Sequence, residues 1–173
     1  MQKRAISVGL AVLGLFAVAL FGTYAGAGNG KGNVKSKRMS SYQEVPSIST
    51  GANGKFEAKI QGSTIEYKLE YSGLSSAAAA AHIHFGQRSV NGGISAFLCG
   101  GGGKPACPAA GTVTGTIAAA DVIGPAGQGI APGEMSELIA AIRAGRAYAN
   151  VHTSSFPGGE LRGQINDENQ KDD

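Results

Sequence analysis

Apolar and polar positions alternate with a period of two along most of this chain, the signature of strands with one face turned inward. Residues 55–61 place Phe56, Ala58 and Ile60 on one side. After the short turn Gly62-Ser63, residues 64–71 set Ile65, Tyr67, Leu69 and Tyr71 against Glu66, Lys68 and Glu70. Together they predict an antiparallel hairpin with a buried and a wet face. Upstream, residues 39–45 read as a strand ended by Pro46, and Gly51 to Gly54 is a turn signal. Downstream, alanine-rich residues 75–81 are too short for an isolated helix and read as a connector into a strand at 82–85. Further strands are expected at 94–99 and 111–118, the latter alternating Val113, Gly115 and Ile117. Residues 121–133, rich in glycine and proline, form a loop.

One segment changes period. Met135, Leu138, Ile139 and Ile142 recur at i, i+3, i+4 and i+7, which predicts a short helix over 134–144, stopped by Gly145. The stretch 146–164 then returns to alternation: Tyr148, Asn150 and His152 oppose Ala147, Ala149 and Val151. Pro157-Gly158-Gly159 turns the chain, and Leu161, Gly163 and Ile165 alternate with Arg162 and Gln164 on the way back. Short strands with frequent glycine turns predict an all-β fold. The expected form is an antiparallel β-sandwich or barrel, with the sandwich (Greek-key-like, superoxide-dismutase-like or Ig-like) and one short helix preferred.

The N-terminus departs from this pattern. Lys3 and Arg4 precede an apolar run from Ile6 to about Phe21, ending in small residues and Ala25-Gly26-Ala27. This is the layout of a secretory signal peptide over 1–27. The run is shorter than the roughly 20 apolar residues that span a bilayer, so no stable membrane anchor is expected after cleavage. Without Lys3 and Arg4, 13 basic residues stand against 12 acidic ones, and the net charge falls from +3 to +1. No basic stripe suggests nucleic acid. Lys31, Lys35, Lys37 and Arg38 lie among glycines and serines, and residues 28–38 read as a disordered basic leader. Residues 167–173 read as a disordered acidic tail, leaving one domain over 39–166. A secreted or periplasmic location follows. It also makes a Cys99–Cys107 disulfide the expected state of the two cysteines, across a glycine-rich loop.

The candidate chemistry rests on the three histidines of the chain, His82, His84 and His152. His82 and His84 share one strand face. Neutral imidazoles suit zinc or copper, and three of them with a water describe an open site. The alternative is structural: the histidines, Asn150, Thr153, Glu160 and Arg162 form a hydrogen-bonded network, Arg162 meeting Glu160 or a carbonyl. A third reading makes Glu160 and His152 an acid/base pair, although a carboxylate near a turn is commonly solvated. No G-x-S-x-G elbow and no phosphate loop accompanies them.

Four motifs carry a resemblance: Glu44-Val45-Pro46; Ala81-His82-Ile83-His84-Phe85-Gly86 with Asn91-Gly92; Gly145 with Tyr148-x-Asn150-Val151-His152-Thr153; and Phe156-Pro157-Gly158-Gly159-Glu160-x-Arg162-Gly163-Gln164. In that order and spacing the chain resembles the CHRD (chordin) domain family over about residues 40–165. Ser47 stands where a second proline is usual, and Leu161 where isoleucine is common. The resemblance implies an exported domain without an assigned activity, in the single-copy form known from bacteria. With no catalytic motif in the sequence, the expected role is a binding or structural module rather than an enzyme, its partner an unknown extracellular protein or polysaccharide. In animals the domain is repeated in chordin, an antagonist of bone morphogenetic proteins. The cysteine-rich modules of chordin are missing from this sequence, so that antagonism is not implied.

Overall fold

The structure, a computed structural model, describes residues 32–165; the expected signal peptide and acidic tail lie outside the described residues. Eight strands form it: β1 (Asn33–Ser40), β2 (Asn53–Gln61), β3 (Thr64–Ser72), β4 (Ala78–Phe85), β5 (Gly93–Cys99), β6 (Gly111–Ile117), β7 (Ala147–Thr153) and β8 (Leu161–Ile165). One α-helix, α1 (Met135–Arg143), stands where the period changes. All the strands hydrogen-bond into a single sheet in the order β5-β4-β7-β8-β1-β2-β3-β6, every neighbouring pair antiparallel. A sandwich would divide them between two sheets. This sheet instead curls until β5 and β6, its outer strands, approach each other, giving a nearly closed barrel-like fold.

Several contacts draw that seam together. The Tyr67 hydroxyl on β3 donates to the carbonyl of Leu98 on β5 at 2.6 Å. Its reach depends on Gly115, its partner on β6, where a Cβ would run into the tyrosine ring. The expected disulfide joins Cys99, at the end of β5, to Cys107 in the segment leading to β6. Lys104 donates to the Thr116 carbonyl at 2.7 Å and pairs with Asp121 at 3.1 Å. Inward-facing Phe56, Ile65, Leu69, Ile83, Leu98, Ile117, Leu161 and Ile165 are fully buried, and Leu138 and Ile142 of α1 join the same core.

Three expected element boundaries are corrected. Residues 33–38, read as leader, belong to β1, which pairs with β2 from Asn33↔Lys59 onward. Val34, Ser36 and Met39 turn inward while Lys35 and Arg38 face solvent, and a register shift between Ser36 and Met39 breaks the period that would have shown it. The strand expected over 39–45 ends at Ser40, and Ser41–Gln43 form a 3-10 turn. The strand of the two histidines begins at Ala78, inside the alanine-rich connector, because it pairs with β7 back to Ala78↔Thr153.

Candidate metal centre on the covered outer face

Strand alternation divides β4, β7 and β8 cleanly. Ala81, Ile83, Ala147, Ala149, Val151, Leu161 and Ile165 enter the barrel core. The opposite face carries His82 and His84 from β4, Tyr148, Asn150 and His152 from β7, and Arg162 and Gln164 from β8. A polar outer face normally meets water. Here all of these residues except His152 are buried, because the chain around residues 41–50 and 86–92 folds over them.

Arg162 holds that cover down. It is 2% exposed, and its guanidinium donates to the carbonyls of Gln87 (3.1 Å) and Val90 (2.8 Å) and to Oδ1 of Asn91 (3.2 Å). Asn91 in turn donates to the Val45 carbonyl at 2.9 Å. Asn150 donates through Nδ2 to Oε1 of Glu44 (2.5 Å) and to the Leu161 carbonyl (3.0 Å). Gly159, at φ 127°, passes so close that a Cβ there would meet both Asn150 and Glu44. Burial raises the Glu44 carboxyl to about 7, against the opposing hydrogen bond from Asn150 and the charge of Arg162.

Glu160 differs from expectation. It is fully buried, not solvated. Its carboxylate accepts the Ser75 amide (2.8 Å), the Ser75 hydroxyl (2.8 Å) and the Thr153 hydroxyl (2.7 Å). Burial alone would raise its pKa; the hydrogen bonds from Thr153 and Ser75 overcome that and lower it. Of the two alternatives for Arg162, the structure takes the carbonyls rather than Glu160. Thr153, Glu160, Asn150 and Arg162 are each hydrogen-bonded, in separate groups: Glu160 with Thr153 and Ser75, Asn150 with Glu44, and Arg162 with Asn91.

The histidines add a different feature, since some of their nitrogens are left without a partner. The register pairs His82 with Asn150, His84 with Tyr148 and Ala80 with His152, so the three rings meet across the β4–β7 boundary. Their centroids lie 5.4 Å (His82–His84), 4.8 Å (His82–His152) and 5.6 Å (His84–His152) apart. One ring nitrogen from each lies within 4.8 Å of the others. An ion bound at about 2.0–2.1 Å holds its nitrogens about 3.3–3.6 Å apart, so the three would have to close by about an ångström to share one.

Orientation supports the same end. Nδ1 of His84 bonds the Gly92 carbonyl at 3.0 Å, and Nδ1 of His152 bonds the Pro157 carbonyl at 2.9 Å. A carbonyl can only accept, so each Nδ1 carries the proton and each Nε2 presents a lone pair. Both Nε2 atoms, and both nitrogens of His82, are buried without a hydrogen-bond partner among the described residues. Burial, reinforced by the neighbouring imidazoles, depresses His82 to about 3. Burial likewise depresses His84 to about 4, despite its bond to Gly92, and lowers His152 against its bond to Pro157. All three rings are neutral at pH 7.

Aromatic packing fixes two of the rings. Phe97 meets His82 edge-on at 4.4 Å. Tyr148 stacks on His84 at 4.8 Å with 8° between the planes. Tyr148 also carries the Arg162 guanidinium 3.5 Å from its centroid. Because β7 lies between β4 and β8, the tyrosine separates that cation from the histidines. Glu44 and Asn91 stood in the sequence motifs without an assigned role, whereas Ser75 and Phe97 had no sequence signal, since their roles depend on pairings distant in the chain.

No curated protein and no solved structure matches the chain. The family model described as CHRD domain matches residues 36–165, well over half of the 173 residues and every element of the site just described. The chain belongs to the CHRD domain family.

Proposed function

We propose that this chain is an exported, non-catalytic binding module whose ligand is a single copper or zinc ion held by His82, His84 and His152. One observation carries the reading: three neutral imidazoles converge with buried nitrogens that have no partner, while carbonyls orient two of the rings from behind. A buried polar atom left unpaired costs about 1–3 kcal/mol. Pinning of the cover does not account for that cost here, because it uses Arg162, Asn91, Asn150 with Glu44, and the Nδ1 of His84, and none of the unpaired nitrogens. Coordination supplies the missing partner, and a carbonyl behind a histidine ligand is the usual outer support of such a site. The Cys99–Cys107 disulfide supports a secreted or periplasmic location.

The test is metal content after exposure of the purified protein to zinc or copper and removal of excess ion. We expect about one ion per chain, lost in His82→Ala, His84→Ala and His152→Ala while circular dichroism still reports the β fold. Retained metal in all three variants, or none in the wild type, defeats the proposal.

A further inference from the structure

We infer that the site selects cuprous copper, bound by the three imidazoles without a water ligand; the inference rests on the metal reading above and narrows it. The first argument is coordination number. His82 and His84 are 6% and 7% exposed, and the Nε2 atoms of all three rings are buried. The ligand nitrogens themselves are therefore shielded from solvent, although the ring of His152 is only half-buried. Zinc(II) completes a tetrahedron, and a three-histidine zinc site does so with water or substrate. Copper(II) prefers a tetragonal arrangement with more ligands again. Copper(I), a filled-shell ion with no such demand, is satisfied by three ligands in a plane.

The second argument is charge. The ligand set holds no carboxylate and no thiolate. Behind His84 and His152 stand neutral carbonyls, of Gly92 and Pro157, where many sites place a carboxylate. The carboxylate of Glu160 is taken up by Ser75 and Thr153, and that of Glu44 by Asn150. The Arg162 cation rests against the ring of Tyr148, on which His84 also stacks. An ion in this site therefore receives no negative charge from its ligands. The cost of burying charge rises with its square, so a dication is penalised about four times as heavily as a monocation.

The experiment is an anaerobic competition on the full chain. Copper(I) is supplied as its bicinchoninate complex, and zinc(II) and copper(II) are each buffered by a chelator, so that all three affinities refer to free ion. We expect one copper(I) per chain, an affinity at least tenfold above that for zinc(II), and an X-ray absorption edge typical of three-coordinate copper(I). His152→Asp puts one negative charge into the ligand set and is expected to move the copper(I)-to-zinc(II) ratio at least tenfold towards zinc. Zinc(II) or copper(II) binding as tightly as copper(I), or a ratio unmoved in His152→Asp, overturns the inference while the metal site stands. Failure of every ion to bind removes the site, and the inference with it.

Discussion

Glu44 offers a sharp test of how well the cover seals the outer face. The residue is 6% exposed, and its carboxyl accepts one hydrogen bond from Asn150 and is raised from 4.5 to about 7 by burial. An acid with a raised folded-state pKa binds its proton more tightly when folded. Its contribution is therefore fully present below about pH 4.5 and lost as the pH climbs to about 7. The gap between 4.5 and about 7 corresponds to about 3 kcal/mol. Glu44→Gln keeps an oxygen to accept from Asn150 and removes the titration. The histidines must be separated from this effect, because they run the other way: depressed from 6.5 to about 3 and about 4, His82 and His84 stabilise above pH 6.5 and lose that as the pH falls. Together they outweigh Glu44, so wild-type stability still rises between pH 4 and 6.5. The informative quantity is the variant minus the wild type, measured by urea unfolding with a chelator present from pH 4 to 8.5. That difference is expected to grow by about 3 kcal/mol between pH 4.5 and 7 and then level off. A difference flat within about 0.5 kcal/mol would show that water reaches the carboxylate and that the cover is open.

Two further outcomes follow from the same packing. Reducing Cys99–Cys107, or replacing both cysteines by serine, opens a loop with a sequence separation of 8 and should lower unfolding free energy by about 2–3 kcal/mol in the chain-entropy model; an unchanged urea midpoint would mean that the other seam contacts suffice. Glu160→Gln sets an amide NH2 against donors, since the carboxylate accepts from the Ser75 amide and two hydroxyls. It should cost about 1–3 kcal/mol at pH 7, and less as the pH falls through the lowered folded-state pKa of the wild-type carboxyl; a pH-independent cost would assign the loss to packing alone.

The parts of the fold visible in sequence are those where each strand advertises one face. The β2–β3 hairpin is the clearest, because Ile65, Tyr67, Leu69 and Tyr71 contrast with charged neighbours on a strand whose outer side is wet. Strand β1 was hidden by a register shift and by lysines that look the same on an outer face as in a solvated leader. The H-x-H spacing places two imidazoles on one face, but the arrival of His152 depends on the β4–β7 register, a pairing across about seventy residues. Burial of Glu44, Asn150, Glu160 and Arg162 was least legible. Alternation puts Asn150 and Arg162 on the outside, where a strand pattern normally predicts water, and only the cover built from residues far away in the chain excludes it.

That cover explains why one face holds two kinds of polar group. Arg162, Asn150, Glu44 and Glu160 are each buried with partners, so they stabilise the closed arrangement and fix where the loops lie. His82, His84 and the Nε2 of His152 are buried on the same face but left without partners at the nitrogens that face one another. A fold selected for stability alone gains nothing from that asymmetry, because an apolar side chain at His82 would fill the space beside Phe97 at no cost in unpaired nitrogen. On the metal reading proposed above, the hydrogen-bonded groups supply the rigidity that would hold three lone pairs ready for an ion.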